Sequence, residues 1–154
     1  MDRPMTLMNL ALVLAALGAG CLMAMQPAVN GKLAGNCSHP LQASIISFGT
    51  GLLALMVVGT ALRVGLPDWS SLKELPWWAW CGGLIGTYMV TVSLMVAPQL
   101  GATRWIALVL AGQIALSLVL DHFGLIGYRQ QPINMTRIFG LVCIVLGVVL
   151  VMRN

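Results

Sequence analysis

Gln113, Ser117 and Asp121 follow one another at i, i+4 and i+8, a polar line along one face of an otherwise apolar stretch. An amide, a hydroxyl and a carboxylate so arranged can hydrogen-bond a solute while it crosses an apolar medium. Gln113 lies about halfway along its stretch, more than ~10 Å from either end at ~1.5 Å per residue. Its amide both donates and accepts, which suits a neutral or zwitterionic solute. Deep polar side chains in membranes face protein or water rather than lipid. Asp121 follows near the end of the stretch, and Arg137 enters the next stretch from that same side, so the two are expected to pair. Asp121 is the only acid beyond the amino terminus that lies within or beside an apolar stretch, so any coupling of protons would fall to it.

The elements that must position these groups are five long apolar stretches, at about residues 5–25, 41–62, 77–97, 102–120 and 135–152. About 20 apolar residues in a helix cross the ~30 Å hydrocarbon layer. The expectation is an all-α integral membrane protein, with residues 1–154 forming one domain of five transmembrane helices. An odd number of crossings puts the two termini on opposite sides.

Composition excludes most other classes. The chain is 59% hydrophobic and 8% charged, with a mean hydropathy of +0.93, against about 25% charged residues in average soluble domains. No polar stretch is long enough for an extramembrane domain. The formal net charge of +4 comes from scattered residues, a use that fits orientation in the membrane rather than a nucleic-acid patch. Cys21, Cys81 and Cys143 fall in apolar stretches and only Cys37 in a candidate loop, which excludes a disulfide framework. His39 and His122 have no cysteine or acid at ligand spacing, so neither a metal nor any other cofactor is expected. No paired acids, HExxH or nucleophile–base constellation suggests an enzyme. Arg3, an apolar run and Gly18-Ala19-Gly20-Cys21 imitate a lipoprotein signal, but the run continues through Met25, too long for a signal core, and cleavage is not expected.

The first stretch leaves through Gln26-Pro27-Ala28-Val29-Asn30-Gly31-Lys32. Two readings stand open: a helix kinked at Pro27 that runs on towards Gly31, carrying Gln26 and Asn30 on one face, or a plain exit loop. Ser44, Ser47 and Gly51 form a small-residue stripe on the second stretch. Trp77, Trp78 and Trp80 fit an interfacial belt at the start of the third. Gly82 and Gly86 make a GxxxG pattern, and Gly140 and Gly147 share a face of the fifth stretch, so these four are candidates for close helix packing.

Taken in order, Gln26-Pro27-Ala28-Val29-Asn30-Gly31, Pro40-Leu41-Gln42-Ala43-Ser44, Pro76-Trp77-Trp78 with Gly82-Gly83, Gly112-Gln113, Asp121-His122-Phe123-Gly124, and Arg137 with Gly140 and Gly147 resemble the five-span YdcZ-like family of the drug/metabolite transporter superfamily. The resemblance covers essentially the whole chain. It implies a bacterial inner-membrane exporter of small metabolites or drugs, equivalent to one half of the inverted-repeat transporters of that superfamily. A five-span unit fused to a copy of itself enters the membrane the other way up, and inverted repeats with a site between them are the usual basis of alternating access. One half therefore needs a second, either itself or a homologous five-span partner. The proton-coupling glutamate in the first span of the small four-span exporters has no counterpart here, where that span offers Asn9, Gln26 and Asn30.

With the amino terminus in the cytoplasm, Arg3, Arg63, Lys73, Arg129 and Arg137 lie inside, and Lys32, Arg104 and Arg153 outside. Five against three favours that orientation, but weakly enough to permit dual topology. The sequence reading is thus an exporter working as an antiparallel homo- or heterodimer, with Gln113, Ser117, Gln26 and Asn30 on the pathway. The alternative is a non-transporting accessory subunit of a membrane complex, in which the glycines serve only to dock a partner.

Overall fold

The computed structural model describes residues 7–153. Arg3, counted above for orientation, lies outside them. Among the described residues there is no strand, and five helical segments are long and apolar enough to cross a membrane.

The chain divides into two compact units, Met1–Met95 and Val96–Asn154. In the first unit, α1 (Leu7–Ala34) packs on α2 (Pro40–Ala61), and a short α3 (Trp69–Lys73) precedes a 3₁₀ turn (Trp77–Cys81) that opens α4 (Gly82–Leu100). Of the two readings for the exit of the first span, the helix holds. α1 continues through Pro27 to Ala34, and the missing proline N–H withdraws the bond that would reach the Met23 carbonyl. Polar side chains do not by themselves end a helix, because the main-chain ladder is independent of them. The end is set by capping instead. Gly35 and Cys37 donate their N–H to the carbonyls of Gly31 and Ala34, each at 3.0 Å, and Asn36 Nδ2 reaches Lys32 O at 3.1 Å.

α2 starts sharply at Pro40, which suits the first helical position. His39 is its N-cap: Nδ1 accepts from Leu41 N–H at 3.1 Å, and the Gln42 side chain reaches back to accept from the N–H of Ser38 and His39. Asp68 does the same for α3, accepting from the backbone and hydroxyl of Ser70 and the hydroxyl of Ser71. These bonds, first that from the Ser70 hydroxyl, lower the Asp68 pKa from 3.8 to about 2.

Buried apolar side chains in the first unit centre on Ala43, Val90 and Leu94, with Leu33, Ala34 and Cys37 against them. Most leucines, valines and isoleucines stay exposed, including Leu14, Leu55, Leu146 and Leu150. In water this would leave a large apolar surface unprotected; in lipid it is the expected exterior.

In the second unit α5 (Ala102–Phe123) packs on α6 (Met135–Arg153). Pro98 sits inside α4 rather than ending it, and Gly101, at φ 85°, makes the break before α5. α5 runs three residues beyond the expected 120, so Asp121 belongs to its last turn. It closes at Gly124, whose φ of 62° is the left-handed conformation that glycine tolerates best.

Candidate functional site

Three polar regions carry the sequence-derived candidates. The first is the junction of α5 and α6. Arg137 Nη1 lies 3.3 Å from Asp121 Oδ2, with the two side chains 28% and 29% exposed. Arg137 Nη1 also donates to Gln131 O at 3.4 Å, and its Nη2 donates to Gln131 Oε1. Around this pair the connecting loop folds back onto the end of α5. Gln131 N–H donates to Asp121 O at 2.7 Å, Gln130 Nε2 to His122 O at 3.1 Å, and Ile133 N–H to His122 Nδ1 at 3.2 Å. Asn134 caps α6 by accepting from Arg137 N–H at 2.9 Å. Gln130, Gln131, Asn134 and His122 were not singled out as site residues from the sequence. Only the position of Asn134 just ahead of an apolar run, a preferred cap, could have announced one of them.

The second region lies in the first unit. Gln26 lines a groove of about 460 Å³ with Ser47, Phe48, Gly51, Leu52 and Leu55. The small-residue stripe of α2 therefore leaves open space beside an amide of α1. Asn30, one helical turn on, is 5% exposed, and its Nδ2 has no hydrogen-bond partner among the described residues. An unpaired buried amide costs about 1–3 kcal/mol, so this donor is poised for an acceptor supplied from elsewhere. α2 and α4 are joined by Ser44 Oγ and Thr91 Oγ1 at 3.0 Å, and by Phe48, whose ring lies 3.3 Å from where a Cβ on Gly86 would stand.

The third region is the exposed face of α5. Gln113 is exposed and makes no hydrogen bond with the described residues, and Ser117 Oγ turns back to Ile114 O at 2.9 Å. The structure thus groups Asp121 with Arg137, and Gln26 with Ser47 and Gly51, while Gln113 and Ser117 stand on their own helix. Of the four glycines, Gly86 alone meets a neighbour; a Cβ on Gly82, Gly140 or Gly147 would touch nothing within 4 Å. Whatever close packing those three serve, its partner surface is not among the described residues.

No group of three or more potential metal-ligating side chains occurs among the described residues. What the arrangement offers is hydrogen bonding: amides and hydroxyls on membrane helices, and one partly screened ion pair at a helix junction.

Residues 11–150 match the family described as "Putative inner membrane exporter, YdcZ". Inner membrane protein YdcZ of Escherichia coli (strain K12) is 28% identical over 153 residues, covering 96% of this chain and 99% of that protein. No solved structure matches. With the matched region running from the first span into the last, the chain belongs to the YdcZ family and is a multi-pass protein of the inner membrane.

Proposed function

We propose that this protein exports a small neutral or zwitterionic molecule, as one half of an antiparallel homo- or heterodimer that works by alternating access. The observation that carries this reading is Gln113: a hydrogen-bonding amide at the centre of a membrane helix, exposed and making no hydrogen bond with the described residues. Lipid offers such a group nothing, and the cost of leaving it there is met when a second subunit or a solute approaches. Asn30, with its unpartnered Nδ2, presents the same unfilled demand. Membership of an exporter family supports a transport role, and a single five-span unit supplies only half of an inverted-repeat arrangement.

The test compares the metabolites released by cells lacking the protein, cells carrying it, and cells carrying Gln113→Leu at equal membrane abundance. The substitution makes α5 more apolar and keeps its approximate volume, so insertion should be preserved. A molecule released only by the unmutated protein identifies the substrate and supports Gln113 as a pathway residue. Equal release by both proteins would remove Gln113 from the pathway, and equal release by all three strains would refute export.

A further inference from the structure

Arg129, Gln130, Gln131, Pro132, Asn134 and Arg137 line a cavity of about 460 Å³ beside the start of α6. Its chemistry follows from which ends of these side chains are already used. Arg137 donates to Gln131 Oε1, and because a guanidinium has no acceptor, the Gln131 atom engaged must be the oxygen. Its NH₂ group is left over. A backbone N–H donates to Asn134 Oδ1, which likewise fixes that amide and leaves its NH₂. Arg137 commits Nη1 to Asp121 and Gln131 O, and one Nη2 hydrogen to Gln131, so two of its five N–H groups stay uncommitted. Arg129 is exposed and makes no hydrogen bond or ion pair with the described residues, so all five of its donors and its full charge are available. Against these donors stand the amide oxygens: Gln130 Oε1 takes no bond from the described residues, its Nε2 giving one hydrogen to His122 O, and Gln131 Oε1 and Asn134 Oδ1 each keep one lone pair. Asp121 cancels the charge of Arg137 and leaves that of Arg129 uncancelled.

We propose that this cavity binds a phosphate-bearing anion, held by Arg129 with the amide NH₂ groups of Gln131 and Asn134. Planar guanidinium forks match phosphate oxygens. Two sources supply that chemistry at the edge of a membrane helix pair: the headgroup of an anionic phospholipid, which basic pockets at such positions hold, and free inorganic phosphate.

The test uses the full chain, delipidated in a nonionic detergent, with the melting temperature followed as ligand is added, since a ligand that binds only the folded state raises it by mass action. The probes are short-chain phosphatidylglycerol, short-chain phosphatidylcholine and inorganic phosphate. The expected result is a saturable rise with phosphatidylglycerol, at an apparent affinity about fivefold weaker in Arg129→Gln, intermediate in Arg129→Lys, which keeps the charge but not the fork, and unchanged in the control Arg63→Gln, a residue that does not line the cavity. A rise with inorganic phosphate that shows the same dependence on residue 129 also supports the site, and assigns it to the free anion. The proposal is overturned if no anionic probe acts, if Arg129→Gln binds as the unmutated protein does, or if Arg63→Gln weakens binding equally, which would mean that only overall charge is sensed.

Discussion

Replacing Asp121 and Arg137, separately and together, measures how far the α5–α6 junction relies on their ion pair. At 3.3 Å, two unit charges attract by about 5 kcal/mol at an effective dielectric of 20 and about 1.3 kcal/mol in water. The side chains are a little over a quarter exposed, so solvent screening and the cost of stripping water from both groups remove most of the larger figure. A coupling of about 1 kcal/mol is expected, equivalent to about 2–4 °C in melting temperature for a chain of this size. Arg137→Gln alone should cost more than Asp121→Asn alone, because Arg137 also ties the loop through Gln131 O and Oε1. Thermal unfolding of the four proteins in detergent, followed by far-ultraviolet circular dichroism, gives the coupling as the departure of the double variant from additivity. Additivity within about 0.3–0.5 kcal/mol, the usual behaviour of non-interacting sites, would refute the pair. A dominant arginine effect without coupling would place its contribution in the bonds to Gln131.

Two further outcomes follow from the loops. Gly124→Ala should destabilise the chain by about 1–2 kcal/mol, or about 2–8 °C in the same assay, since Gly124 holds φ 62° and a Cβ there would stand 3.3 Å from Gln130 Cβ; an unchanged melting temperature would show that the loop does not need this turn. Asp68 has its pKa lowered from 3.8 to about 2 by the Ser70 and Ser71 bonds, so its capping contribution is complete above pH ~4 and is lost as pH falls towards 2; a carboxyl resonance of Asp68 that titrates at the ordinary value would contradict that cap.

The five crossings are legible because hydropathy reports directly on the solvent a helix meets, and lipid demands a run of apolar residues. Helix ends are less legible, because they depend on main-chain bonding. Gln26, Asn30 and Lys32 leave a helix and an exit loop both open in the sequence, and it is α1 that continues, to Ala34; α4 likewise runs past Pro98 to Leu100, and the break comes at Gly101. The facing of Asp121 and Arg137 follows from spacing, since each lies at the same end of adjacent antiparallel spans. The surrounding clamp does not, because it depends on left-handed conformations at Gly124, Ile126 and Gly127. Glycine announces two of these; an isoleucine at φ 56° is one that no local propensity would suggest. The glycine patterns show a different limit: Gly82, Gly140 and Gly147 fit packing motifs, but a motif names a small surface and not its occupant.

The positions of the polar groups along their helices bear on how two copies would associate. Gln113 is 11 residues from the start of the 22-residue α5, less than about 1 Å from its midpoint at ~1.5 Å per residue. Gln26 and Asn30 lie beyond the midpoint of the 28-residue α1, by about 8 and 14 Å on the same rise. With each helix centred on the membrane, a two-fold axis in the membrane plane leaves both Gln113 residues at the midplane. It sends one Gln26 and one Asn30 towards each surface. A two-fold axis along the membrane normal instead puts both Asn30 residues on one side. The two arrangements differ at Gln26: its copies are separated in depth by about 16 Å in the antiparallel pair and by nothing in the parallel one. In a background with Cys21, Cys37, Cys81 and Cys143 replaced, Gln26→Cys should therefore resist a short thiol cross-linker in membranes, while Gln113→Cys should yield a dimer. Efficient cross-linking at position 26, with none at 113, would overturn the antiparallel arrangement.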